Sequence, residues 1–155
     1  MIKILERLGV PRTLMLGFLA VAIFMTGDGF ELTFLSKFMV DQGFTSSQAS
    51  LLVTVYGLFA AFGGWSAGVL AEMFGARKVM MFGACWWIGV HLLFLGIAIP
   101  SHIYPLILCL YAMRGIGYPL FIYSFVVLMA QYISPSRLAS ATGFFWTCFS
   151  LGIGV

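Results

Sequence analysis

The sequence predicts an all-α, polytopic membrane protein, and three observations carry that reading. Of 155 residues, 62% are apolar and 8% charged, with a mean hydropathy of +1.07, whereas a soluble domain carries about 25% charge. The apolar residues form continuous runs and do not alternate, which excludes a membrane β-barrel. Each run approaches the roughly 20 residues that a helix needs to cross a ~30 Å hydrocarbon core. Eight Lys/Arg against five Asp/Glu leave a net charge of +3, too few cations to coat a nucleic acid, so no nucleic-acid partner is expected.

Residues 1–13 read as a cytoplasmic amino-terminal segment with the cations Lys3, Arg7 and Arg12 and a short amphipathic stretch at Ile4, Leu5 and Leu8. A basic start before an apolar run is also the pattern of a secretory signal. Here the run continues past Asp28 to Phe38 without a small-x-small cleavage site, so it is read as a retained first span, about 14–38. A polar stretch, 41–48, containing Gly43 and Ser46, breaks the chain before a second span at 50–70. Residues 71–78 turn it into a third span, 79–99, and Pro100, Ser101 and His102 predict a tight turn into a long fourth, 103–133. Ser134, Pro135, Ser136 and Arg137 end that span before a fifth, 138–155, barely long enough to cross. The chain thus reads as a fragment that stops partway through a larger array of helices.

Orientation follows from the cations. Lys3, Arg7, Arg12, Arg77, Lys78 and Arg137 fall on one side and only Lys37 on the other, which places the N-terminus in the cytoplasm. Arg114 is left over, inside the membrane. Cys85, Cys109 and Cys148 sit within apolar runs without metal-ligand spacing. No metal cluster, activated nucleophile or phosphate-cradling loop is present, so neither an enzyme nor a cofactor is expected.

Ionisable groups within spans are expensive, and each is a functional candidate. Asp28 lies about 21 Å along span one, and Glu31 shares its helical face. Arg114 lies roughly 16 Å below the outer surface on span four, so the depths differ by less than about 10 Å. A carboxylate pair opposite one arginine suits proton exchange; a fixed ion pair joining two helices is the plain alternative. Gly115, Gly117 and Pro119 predict a freed carbonyl, a kink and close helix approach beside Arg114. Tyr118, Tyr123, Trp87 and Trp146 each couple a flat apolar face to one hydrogen-bonding group, which a neutral polyhydroxylated solute requires. Tyr56 and His91 add candidate polar contacts, although for His91 a core histidine bonded to a neighbouring helix is the plainer reading.

The stretch Gly68-Val69-Leu70-Ala71-Glu72-Met73-Phe74-Gly75-Ala76-Arg77-Lys78 resembles the loop signature G-x-L-A-[DE]-R-x-G-R-[RK] of the major facilitator superfamily. Arg114 with Gly117 resembles that family's membrane-embedded arginine motif, associated there with proton coupling. Gly27-Asp28-Gly29-Phe30-Glu31-Leu32, Leu35-Ser36, Gly143-Phe144-Phe145-Trp146 and the run from Arg114 to Phe125 look like the bacterial polyol permeases of the family, the ribitol and D-arabinitol transporters. Met73 and Ala76 stand where the loop signature has basic residues, which leaves Glu72 to Arg77, Lys78 or Arg137.

The resemblance implies a twelve-helix fold of two halves, of which this chain supplies five helices of the first. It also implies proton-coupled uptake of a sugar alcohol across the bacterial cytoplasmic membrane. Asp28, Glu31 and Arg114 would carry the proton, and Gly68, Glu72, Gly75, Arg77 and Lys78 would form a gating loop. The partners expected are a small polyol, protons, the lipid bilayer and the missing C-terminal half. Rival readings are a membrane scaffold or assembly subunit, with the same three charges as a static lock, and a small multidrug exporter acting as an oligomer.

Overall fold

The computed structural model describes residues 11–154. The amphipathic stretch and the cations Lys3 and Arg7 lie outside the described residues. Five long helices follow one another: α1 (Arg12–Asp41), α2 (Ser46–Phe74), α3 (Ala76–Ser101), α4 (Tyr104–Tyr132) and α5 (Pro135–Ile153). Four of them, α1 to α4, are long and apolar enough to cross a membrane. The expected fifth span, α5, has 19 residues but falls short of that standard among the described residues, because Ser136, Arg137, Ser140, Thr142, Thr147 and Ser150 dilute its apolar character.

α1, α2 and α3 outrun the apolar segments that announced them, since the backbone ladder continues wherever an end is capped. α2 starts at Ser46, four residues before the expected 50, because Thr45 and Gln48 form a capping box: the Thr45 hydroxyl accepts from Gln48 N, and Gln48 Oε1 accepts from Thr45 N at 2.9 Å. Between α2 and α3 the expected loop shrinks to one residue. Gly75, at φ 89°, ends one helix by donating to Ala71 O at 3.0 Å and starts the next by accepting from Lys78 N at 3.1 Å. An L side chain is strained at that φ. The end of α1 is closed by Phe44 N to Met39 O and Gly43 N to Val40 O, with Gly43 at φ 91°, a Schellman motif.

One expected break is corrected. α3 does not stop at Ile99 but runs to Ser101, and the turn is left to His102, at φ 53°, and Ile103. The ladder widens to π form over Phe94–Ala98, just before Pro100, whose ring crowds the preceding turn and has no N–H to offer. α4 is continuous through Pro119.

The chain divides into two compact units, one of Met1–Leu35 with Val126–Val155, the other Ser36–Phe125. In the first, α1 buries Leu14, Phe18, Val21, Met25 and Asp28, a stripe at helical spacing. Its partner there is α5: the Phe18 and Phe144 rings lie 5.1 Å apart, and Gly29 and Gly152 admit the opposing backbones at Ile153 and Ala22. In the second unit, Ala67, Val79 and Leu120 form a core with Leu70 and Ile116 packed against it. Leu16, Leu58, Leu92 and Leu151 face outward, as lipid-exposed positions do.

Candidate functional site

The second unit is built around a buried cation. Arg114 is 0% exposed, and it lies about 15 Å along α4 from Tyr104, near the middle of a ~30 Å core. Two glycines beside it explain how aromatic rings reach it. A Cβ on Gly115 would sit 2.6 Å from Tyr56 O on α2, and one on Gly117 would sit 2.9 Å from both the Cβ and the N of Trp87 on α3. Contacts that close are closed to any side chain, so the small residues bring the neighbouring backbones in. Trp86 fastens the same approach, its Nε1 donating to Met113 O at 2.8 Å.

The result is an aromatic cage. The guanidinium carbon lies 4.2 Å from the centre of the Trp87 ring, 5.5 Å from that of Tyr111 and 5.6 Å from that of Tyr56. Tyr56 and Tyr111 pack at 5.0 Å, Phe94 joins Tyr111 at 5.3 Å, and His91 stacks on Trp87 at 5.0 Å. Desolvating a cation costs several kcal/mol, and each ring face within about 6 Å returns roughly 0.5–2 kcal/mol. The cage therefore offsets a share of that cost and leaves the N–H donors on the guanidinium edge for hydrogen bonding.

Of the residues singled out in the sequence, Arg114, Trp87, Tyr56 and His91 come together here. Tyr118 and Tyr123 line a separate cleft of about 440 Å³ with Ala60, Ala61, Gly64 and Trp65, within the range of small-molecule sites. Asp28, 2% exposed, and the half-buried Glu31 belong to the first unit, as does Trp146, 49% exposed and in edge contact with Phe145 and Phe149 at 5.2 Å each. Gly68, Glu72, Gly75, Arg77 and Lys78 are exposed around the α2–α3 turn, where Glu72, Arg77 and Lys78 make no ion pair with one another. Tyr111, Trp86 and Phe94 were not singled out in the sequence. For Tyr111 the signal was available: it precedes Arg114 by three residues and so shares its helical face.

Residues 16–155 match the family described as Major Facilitator Superfamily. The ribitol transporter of Klebsiella pneumoniae is 47% identical over 147 residues, 95% of this chain and 34% of its own length. The D-arabinitol transporter of the same organism is 46% identical over 148 residues, 96% of this chain and 35% of its own. The alpha-ketoglutarate permease of Bacillus subtilis (strain 168) is 40% identical over 153 residues, 99% of this chain and 35% of its own. The chain thus spans about a third of the length of these curated relatives. No solved structure matches it. Because the family match begins in the first turns of α1 and continues beyond α5, it takes in every long helix described, and the chain belongs to the major facilitator superfamily as a multi-pass membrane protein.

Proposed function

We propose that the chain forms the first part of a twelve-helix transporter that takes up a sugar alcohol together with protons across the bacterial cytoplasmic membrane. The observation that carries this reading is the pairing of buried opposite charges with membrane-spanning helices: Arg114 at 0% and Asp28 at 2% exposure, each on a helix able to cross. Such groups are retained at depth where they move ions or substrates. The substrate class is supported by the two relatives named for ribitol and D-arabinitol. It is also supported by the cleft at Tyr118 and Tyr123, where phenol hydroxyls and flat ring faces alternate with the small residues Ala60, Ala61 and Gly64. Rings and hydroxyls together suit a neutral polyol. The missing helices would supply the opposite wall, and the exposed loop around Gly75 would gate it.

A dicarboxylate substrate has one support, the relative named an alpha-ketoglutarate permease. It is less favoured because Arg114 is fully buried beneath aromatic rings and does not line the cleft. The two are separated by uptake in cells expressing the complete transporter. Labelled ribitol or D-arabinitol should accumulate against its gradient, and a protonophore should abolish that accumulation. Concentration of alpha-ketoglutarate alone would overturn the polyol assignment, and protonophore-resistant accumulation of polyol would overturn the coupling.

An N-terminus in the cytoplasm is part of the same proposal, resting on the cation asymmetry. In a protein without its own cysteines, Ser46→Cys should react with an impermeant thiol reagent added outside, and Phe74→Cys should not. Both positions are exposed, at opposite ends of α2. The reverse labelling pattern would invert the topology.

A further inference from the structure

We infer that Trp87 is a positioning residue for Arg114, fixing the depth and direction of the guanidinium, and does not act as a platform for the solute. The geometry starts at Gly117, where a Cβ would meet Trp87 Cβ and N at 2.9 Å and Gly83 O at 2.9 Å. Backbone of α3 therefore presses directly on α4 one turn beyond Arg114, and the Trp87 ring reaches back over the guanidinium. Its centre lies 4.2 Å from the guanidinium carbon, more than 1 Å nearer than either tyrosine. Tryptophan is the strongest ring for such a contact, and burial removes the competing water. Neighbouring Trp86 locks the register by its 2.8 Å bond to Met113 O. His91, one turn on, stacks against the same indole at 5.0 Å, which restricts its tilt.

With its backbone and Cβ set against Gly117 and its ring stacked on His91, Trp87 is restricted in where it can place the indole. The indole covers the face of the Arg114 guanidinium, so its position sets the direction of the N–H edge, through which the group hydrogen-bonds. Trp87 also has no place in the lining of the cleft at Tyr118 and Tyr123. The inference rests on the coupling reading above in one respect: a loosened Arg114 should uncouple proton and solute movement.

The test compares Trp87→Leu, which keeps apolar bulk but loses the ring, with Trp87→Phe, which keeps a ring. In cells expressing the complete transporter at matched abundance, Trp87→Leu should lower steady-state polyol accumulation roughly tenfold, the equivalent of one buried cation–π contact. Downhill exchange should persist, and Trp87→Phe should restore most of the accumulation. Equal accumulation in all three proteins, or parallel loss of accumulation and exchange in both variants, overturns the inference. Should the parent take up no polyol, the functional reading fails by itself, and the contact is read separately in the purified chain. With Trp65 and Trp146 changed to Phe and Trp86 kept for its bond to Met113 O, Arg114→Met should alter the emission that Trp87 contributes, read as the difference from the same protein carrying Trp87→Phe. Unchanged emission would overturn the positioning role.

Discussion

Gly83→Ala should unseat α3 from α4 and lower the stability of the detergent-solubilised chain by about 1–3 kcal/mol, the usual cost of overpacking. The added Cβ would lie 2.6 Å from Phe121 N, 2.8 Å from Leu120 Cβ and 2.9 Å from Gly117 O. Two of those three atoms are backbone within a continuous helix, so no rotamer change relieves the clash and one helix must move. The internal control is Gly89→Ala on the same helix, where a Cβ meets nothing within 4 Å. Alanine is the better helix former by roughly 1 kcal/mol, so this second substitution should be neutral or stabilising. Thermal unfolding followed by circular dichroism reads both. Equal midpoints for the two variants would mean that α3 and α4 do not touch at this seam, and the cage around Arg114 would lose its support.

What the sequence disclosed and what it withheld divide along physical lines. Apolar runs revealed the helices because desolvation acts on composition, and composition is visible residue by residue. Their ends were misjudged where a cap, and not hydropathy, decides. Thr45 with Gln48 extends α2 backward, and α3 runs past Pro100 until His102 ends it in a left-handed conformation. α4 runs through Pro119, whose ring removes a donor. There Gly63 fits against Ile116 O and the Pro119 ring, with contacts of 2.9 Å and 3.1 Å for an added Cβ, so α2 braces α4 across the proline. Arg114 was legible as a cation at the middle of a span, far from either end. Its cage was not, since Tyr56 and Trp87 reach it only through approaches at Gly115 and Gly117 that join residues far apart in the chain.

The close helix approach that the sequence suggested beside Arg114 is made at its glycines, Gly115 and Gly117. In the structure they let α2 and α3 close on α4, so that a charge too costly to leave bare is faced by rings within 6 Å.

Asp28→Asn in the complete transporter should abolish uphill accumulation of polyol while leaving downhill exchange measurable. Asp28 is 2% exposed on the stripe by which α1 packs in the first unit. A carboxylate held at depth in a span is a group on which a proton can be carried. Taking up and releasing that proton would couple its movement to that of the solute. Asparagine keeps the shape and the hydrogen-bonding capacity but can exchange no proton, so the solute could still cross down its gradient and could not be concentrated. Glu31, half-buried on the same helix, is expected to behave differently: Glu31→Gln should mainly weaken apparent affinity for the polyol. Counterflow exchange measured beside protonophore-sensitive accumulation separates the two effects. An Asp28→Asn protein that still concentrates polyol, with proton uptake intact, would return the buried charges to a purely structural role.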